Sequence, residues 1–393
     1  MKNLNIKFGG DMEKKKDIDV KFIIYIVLFC TYIFPTGIFF KENYAAPKLI
    51  FMISVFFMYI MEIISKGKIG KKELLFNISA VILTILSQNI NFMLFIILPY
   101  MNRMLKKKEK IIEITKNTNM LYICLAFTFL YSLYFRGSQD SRGRLAFTAI
   151  KEINQSGLAI FCLGCLLMSK NKFMGKLTLL FGCLTFSRSY FLAIICLILN
   201  KMLKFIKKDS FNFLISKTTY LTLTIVSSIV LILLGNFYII QYKAGNIVSE
   251  ANMTSRLLNF LDYSNFFRFQ AIIVLLKCFQ NYPSTILLGM SNEDYLELGR
   301  NISKKMDLPF RGTPPHNLFF SHLKIYGFMS IIETCYVSLI LKKIVNRNNY
   351  GIYLAIVLYS IFLGAGLYSY WLYLTIFSLL VYDKGEDDEK VKL

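Results

Sequence analysis

Residues 170–208 read KNKFMGKLTLLFGCLTFSRSYFLAIICLILNKMLKFIKK. Lysine clusters lie at both ends of this stretch, and Arg188 is the one charge near the middle of the apolar run 173–203. At about 1.5 Å per residue, a single helix over 173–203 would overshoot a hydrocarbon layer about 30 Å thick. Lysine-rich loops are held on the cytoplasmic side of a membrane. We therefore predict a hairpin of two short helices, with Arg188 at its outer turn.

The same pattern recurs along the whole chain, which is 55% apolar and has a mean hydropathy of +0.50. Residues 74–102 and 350–382 also have basic residues at both ends, so each is predicted to form a hairpin. The sequence therefore predicts an all-α polytopic membrane protein with twelve spans, both termini cytoplasmic, and one membrane-embedded domain over residues 1–393. The spans are expected at about 22–40, 47–64, 74–87, 89–102, 119–135, 155–168, 173–186, 189–203, 218–240, 317–341, 350–366 and 368–382.

One large extracytoplasmic loop, residues 241–315, is predicted between spans nine and ten. Within it, NFFRFQAIIVLLKCFQNYP at 265–283 has a helical pattern with a large apolar face. Such a helix is expected to lie on the membrane surface or to cap the bundle.

The formal net charge of +22 has a topological explanation. Lysines lie in short loops between apolar runs, as the positive-inside rule requires, so we expect no nucleic-acid partner. The arginines are distributed differently, because eight of ten fall outside or at the outer ends of spans in this threading. These eight are Arg136, Arg142, Arg144, Arg188, Arg256, Arg268, Arg300 and Arg311.

An excess of outer arginine indicates a particular chemistry. A guanidinium binds phosphate oxygens through two parallel hydrogen bonds, which an ammonium cannot do. The distribution therefore predicts an extracytoplasmic site for a phosphate or pyrophosphate. The alternative is that arginines anchor helices at lipid headgroups, which could explain Arg300 or Arg311.

Both histidines lie near the start of the predicted tenth span. The proline pair at 314–315 prevents a helix from starting earlier, and Asn317 can cap the helix that follows. His316 is thus expected at the membrane surface, either as a general base or as an interfacial, capping residue. His322 lies six residues on and does not share its helix face, so a metal pair is not expected, and with Lys324 it should face the bundle interior.

Sequence motifs for other chemistries are missing. There is no P-loop, GxSxG, HExxH or Rossmann glycine run, and the CxxC at Cys162 and Cys165 lies in an apolar run without a second pair. We expect neither a cofactor nor a bound metal.

Four short motifs resemble the O-antigen polymerase and O-antigen ligase superfamily, whose members join lipid-linked glycans outside the bacterial plasma membrane. They are SRSYFLA at 187–193, RFQAIIVLL at 268–276 with NYPSTILLGMS at 281–291, PHNLFF at 315–320, and Gly327. The resemblance places Arg188 and Arg268 on the family's arginines, and His316 with Asn317 on its His-Asn pair.

The resemblance implies a GT-C-like fold and a metal-independent glycosyltransferase of the bacterial plasma membrane. Such an enzyme polymerises oligosaccharide repeat units carried on polyprenyl pyrophosphate into O-antigen or capsule, with a flippase and a chain-length regulator as partners in the same pathway. Its leaving group is a pyrophosphate that clustered arginines stabilise. Its acceptor is a sugar hydroxyl that a base deprotonates.

Together with the arginine distribution, the resemblance predicts specific roles for named residues. His316 is the expected base, with a carboxylate such as Glu152 or Asp262 as the alternative. The residues expected on the pyrophosphate are Arg188, Arg268 and Arg256. Further substrate contacts are expected from Arg142, Arg144, Arg311 and Asn317.

Three other functions remain open at this point. A ligase would transfer a finished glycan to a different acceptor, and the sequence does not separate it from a polymerase. A flippase for lipid-linked oligosaccharides would show two similar halves, whereas the long 241–315 loop has no counterpart in the first half. A scaffold without activity would leave the outer arginines unexplained.

Overall fold

The computed structural model describes residues 9–35, 45–66, 71–87, 92, 95–134, 145–148, 153–203, 208–248, 260–363, 367 and 369–390. In these residues the chain is all-helical and forms no strand, which confirms the all-α prediction. The α-helices in chain order are α1 (Gly9–Leu28), α2 (Ala45–Lys66), α3 (Lys71–Ser87), α4 (Ile97–Met104), α5 (Lys108–Asn117), α6 (Met120–Tyr134), α7 (Ile153–Met168), α8 (Lys172–Gly182), α9 (Arg188–Leu203), α10 (Lys208–Lys217), α11 (Tyr220–Lys243), α12 (Tyr263–Asn281), α13 (Ser284–Leu288), α14 (Asn292–Lys305), α15 (Leu318–Tyr326), α16 (Met329–Lys342), α17 (Tyr350–Leu363) and α18 (Ser369–Lys390).

Two helices form the centre of the bundle. Every residue of α7 from Ser156 to Leu167 is buried, and so is every residue of α18 from Ser369 to Tyr382. Cys162 and Cys165 lie in this stretch of α7 as free, buried thiols, as expected for helix packing. Within α18, Ser378 Oγ donates to the Leu374 carbonyl of the preceding turn (2.9 Å).

The turns predicted on the cytoplasmic side meet at one end of the bundle. Arg103 binds Glu73 through two hydrogen bonds of 2.7 and 2.8 Å, and Lys343 donates to Asn102 (2.6 Å). Nearby, Asn200 donates to the carbonyl of Asn348 (2.6 Å). We call this the lysine end, defined by residues 102–103, 200–201 and 342–348.

Helices α9 and α17 run antiparallel from the lysine end to the opposite end. The Gly351 amide donates to Asn200 Oδ1 (2.9 Å) at the lysine end. Arg188 and Ile361 lie at the far ends of the same two helices, where both line one cavity. The turn before Arg188 is tight, because Phe186 adopts a left-handed conformation (φ 45°). The predicted hairpin over 173–203 is therefore confirmed as α8, a short turn and α9.

The predicted tenth span, 317–341, is wrong as a single helix. It is divided into α15 and α16 by a bend at Gly327, which has a positive φ of 54° and ends α15. His322 Nδ1 lies 2.6 Å from Glu333 Oε2, although eleven residues of straight helix would separate them by about 16 Å. The two helices therefore fold back toward each other.

The helix predicted within the outer loop forms as α12, but it is not a surface helix. Asp262 caps its N-terminus by accepting from the Asn265 amide (2.7 Å), and Ala271–Leu275 are all buried. It packs antiparallel against the half of α11 farther from the lysine end, where the ring of Tyr242 stacks on Phe266 at 4.6 Å. The apolar surface that suggested a membrane-surface helix is instead covered by α11 and α14.

Two helices among the described residues are long and apolar enough to cross a membrane, by length and composition. They are Ala46–Ile64 in α2 and Tyr220–Lys243. Five further apolar helices are shorter, at Glu73–Ile85, Met120–Tyr134, Ile153–Met168, Tyr350–Phe362 and Ser369–Tyr382. These lengths give weak support for a membrane protein and do not by themselves establish twelve crossings.

Candidate functional site

A cavity of about 520 Å³ lies at the end of the bundle opposite the lysine end. Its walls come from α9, α11, α12, the start of α15 and the end of α17, and they are largely apolar. This size and this balance of apolar walls with few polar groups are typical of small-molecule sites. The polar side chains that line it are Arg188, Ser189, Asn265, Arg268, His316 and Asn317.

Arg188 is positioned by a buried carboxylate. Its Nη2 lies 3.5 Å from Asp262 Oδ2, and its guanidinium carbon lies 5.4 Å from the centre of the Phe260 ring. Asp262 is only 1% exposed, and its other carboxylate oxygen caps α12. The carboxylate is therefore held in place beside the guanidinium. The ion pair holds one edge of the guanidinium at the cavity wall.

Arg268 enters the same cavity from α12, six residues after the cap at Asp262. The two arginines are eighty residues apart in the chain, yet both line this one space. Asn265 also lines the cavity and donates to the Phe260 carbonyl (3.0 Å) and to Asp262 Oδ2 (3.2 Å). These bonds fix the start of α12, and with it the position of Arg268, relative to Arg188.

His316 lines the cavity just before α15 begins. Burial and the nearby positive charge of Arg268 lower the pKa of His316 to about 4. The imidazole is therefore neutral at physiological pH, which is the form that can accept a proton. An anion bound beside Arg268 would offset that positive charge and raise the pKa of the ring.

Asn317 holds the segment that carries His316. It caps α15 by accepting from the Phe320 amide (3.0 Å), which confirms the predicted cap, and its Nδ2 donates to the Ile361 carbonyl (2.8 Å). Asn317 is 3% exposed, with both amide atoms bonded inside the protein. Although it lines the cavity, its side chain serves to join α15 to α17.

Of the remaining predicted site residues, the structure describes Arg311 alone. Arg311 is exposed, with its guanidinium carbon 4.3 Å from the centre of the Phe267 ring, and it does not line the cavity. The other three, Arg142, Arg144 and Arg256, lie outside the described residues.

His322 does not join this site. It is buried on α15, where its ring pairs with Glu333 and lies against Tyr326 with ring centres 5.2 Å apart. As expected, Lys324 is also buried. The part of the chain that the structure describes contains no group of three or more side chains suited to hold a metal ion.

Sequence reasoning missed the polar supports of the cavity. It treated Asp262 only as an alternative base, and it did not single out Asn265 or Phe260. An aspartate followed three residues later by an asparagine, directly before an apolar run, is a helix N-cap signal that could have located the start of α12.

Comparison of the chain with protein families, with curated proteins and with solved structures found no match.

Proposed function

We propose that this protein is a glycosyltransferase that polymerises polyprenyl-pyrophosphate-linked oligosaccharide repeat units on the outer side of the bacterial plasma membrane. One observation carries the proposal: Arg188, Arg268 and His316 come from three distant segments and line a single cavity. Two guanidinium groups and a neutral imidazole are the groups that pyrophosphate departure and hydroxyl deprotonation require.

The apolar side chains on the surface of the bundle support the proposal that the protein is embedded in a membrane. The helices α2, α3, α9 and α11 each expose rows of large apolar side chains, among them Ile64 (71%) and Ile85 (70%). Exposed apolar area on this scale is unusual for a soluble monomer and suits contact with lipid. We propose twelve crossings, with α15 and α16 together in place of the tenth, both termini cytoplasmic, and the lysine end inside.

The donor pyrophosphate is proposed to bind between Arg188 and Arg268. Each guanidinium can donate two hydrogen bonds to phosphate oxygens, and the apolar walls raise the strength of these contacts by excluding water. Leu231 and Leu234 of α11 line the same space and suit the first carbons of a polyprenyl chain. Arg256, Arg142 and Arg144 remain predicted contacts, and Arg311 is not proposed for the pyrophosphate.

The reaction is proposed to need one base and no metal. The acceptor hydroxyl oxygen forms a bond to the anomeric carbon as the bond from that carbon to the pyrophosphate oxygen breaks. The pyrophosphate leaves with the electron pair, stabilised by the two arginines. The hydroxyl proton passes to His316, whose pKa rises once the donor anion occupies the site.

Purified protein with a polyprenyl-pyrophosphate-linked repeat unit tests the proposal. A polymerase gives a ladder of lipid-linked products, a ligase gives product only when a second acceptor is added, and a flippase moves unchanged donor across a proteoliposome membrane. Only the ladder agrees with the proposal.

Lysine variants test the arginine roles in the same assay. Arg188→Lys and Arg268→Lys keep the charge but lose the two-pronged bond, so each should reduce turnover by roughly 10- to 100-fold. Arg311→Lys, outside the cavity, is the matched control and should keep near wild-type turnover. Near wild-type ladders from both cavity variants would refute the pyrophosphate site.

A further inference from the structure

A second concave surface lies at the outer rim of the cavity. It consists of two adjoining hollows of about 530 and 540 Å³ that share Tyr242 and Asp307. We call it the rim groove. Its other lining residues are Lys243, Gly245, Ile247, Tyr263, Arg300, Lys304, Leu308, Pro309 and Phe310.

The rim groove continues the wall that α11 and α12 form in the cavity. Tyr238 lines the cavity, and Tyr242 follows four residues later, about 6 Å further along the same face of α11. Tyr238 stacks on Phe269 at 4.9 Å, and Tyr242 stacks on Phe266 one turn nearer the helix end. A chain of sugars that leaves the cavity along this wall reaches the rim groove next.

The groove carries an excess of positive charge. Lys243, Arg300 and Lys304 are exposed, and no ion pair within the described chain involves any of the three. Asp307 is the one carboxylate in the lining of the two hollows, so the charge of the lining is 3 − 1 = +2. A ligand with carboxylate or phosphate groups would pair with these cations.

The groove also offers aromatic surface at the same place. Tyr242, Tyr263 and Phe310 line it beside the cations. A sugar ring has an apolar C–H face and hydroxyl groups at its edge, so an aromatic ring next to charged groups matches both parts. A lipid headgroup would in addition need a path for its acyl chains, whereas the aliphatic lining residues Ile247 and Leu308 are buried beneath the groove.

We propose that the rim groove binds an anionic glycan, a chain of sugars that bear carboxylates. The identification of this glycan as the growing polymer rests on the proposed function, but the binding of an anionic glycan to the groove does not. Exposed charge-assisted contacts of this kind are each expected to change affinity by roughly three- to tenfold.

Binding of a defined oligosaccharide to the full chain tests this directly. The protein is placed in phosphatidylcholine nanodiscs, and the dissociation constant is measured for tetragalacturonate and for its uncharged methyl ester. The acid should bind at least tenfold more tightly than the ester. Arg300→Gln and Lys304→Gln should each raise the dissociation constant of the acid by roughly three- to tenfold. Lys305 is an exposed lysine of α14 outside the groove, so Lys305→Gln should leave this constant unchanged.

Several results would overturn the proposal. Equal binding of acid and ester, no binding of either, or equal losses in all three variants would each do so. Loss of the acid's binding when phosphatidylglycerol replaces part of the phosphatidylcholine would assign the groove to a lipid headgroup. Because the measurement needs no turnover, a failed polymerase assay would count against the proposed function and not against the groove.

Discussion

Replacing Gly327 by alanine should destabilise the protein through the bend between α15 and α16. A Cβ at this position would lie 2.5 Å from the Ile286 carbonyl oxygen and 2.7 Å from the Gly289 amide nitrogen. Both neighbours are backbone atoms, so no side chain can rotate away to make room. The clash must move either α13 or the bend itself.

The cost has two parts. Gly327 has φ 54° and ψ −135°, a backbone conformation outside the left-handed helical region, and a non-glycine residue there costs about 1–3 kcal/mol. Forcing a methyl group into a filled space costs about 1–3 kcal/mol more, which gives about 2–6 kcal/mol in total. At about 2 °C per kcal/mol for a large domain, the Tm should fall by roughly 4–12 °C.

Gly245 provides a matched control. It has a φ of 75°, but no heavy atom lies within 4 Å of a Cβ built there. Gly245→Ala should therefore cost only the backbone part, about 1–2 kcal/mol, and lower the Tm by roughly 2–4 °C. Thermal unfolding in detergent compares the two variants. Equal falls in Tm would show that Gly327 is not packed against α13, and the reasoning about the bend would be wrong.

Three further predictions concern the cavity and the topology. Asp262→Asn retains a good helix cap but removes the negative charge that pairs with Arg188, so kcat/KM should fall several-fold while the Tm changes little. If Asp262→Asn lowered the Tm as much as Asp262→Ala does, this reasoning would be contradicted. The pKa of His316 is lowered by burial and by Arg268, so activity should require the ring to be neutral and should fall as pH drops through that pKa. Arg268→Gln should move this acid limb of kcat/KM, which reports the free enzyme, to higher pH, toward the ordinary value of about 6.5. An unmoved limb would belong to another group. A cysteine introduced at Lys343 should react with a membrane-impermeant reagent only after the membrane is permeabilised. Reaction of this cysteine in intact cells would show that the topology is the reverse of the one proposed.

The hairpin over 173–203 could be predicted because its signals are local. Lysine flanks and the length of the apolar run determine a turn near Arg188, and α8 and α9 form as expected. The bend at Gly327 could not be predicted in this way. Hydropathy averages over a window, whereas the bend depends on close backbone contact between Gly327 and the distant Gly289.

The candidate site shows the same division. The arginine distribution predicted an outer phosphate site, and the resemblance of the short motifs to the O-antigen polymerase and ligase superfamily predicted that Arg188, Arg268 and His316 belong to it. These three residues line one cavity. The ion pair between Asp262 and Arg188 depends on how α12 packs beside α11, and the sequence pattern does not reveal that packing. An apolar helix covered on several sides has the same sequence pattern as one that lies on lipid, which is why the membrane-surface alternative for α12 was wrong.

Turnover and donor binding of purified His316→Gln test the central claim most directly. If His316 accepts the acceptor's proton in the cavity that holds the pyrophosphate, kcat should fall by at least about 100-fold, while donor affinity, which depends on the arginines, should change little. His322→Gln, on the helix that follows His316, disturbs the pair with Glu333, so it should lower the Tm but retain most of kcat. Retention of kcat by His316→Gln, or equal losses in the two variants, would contradict the account.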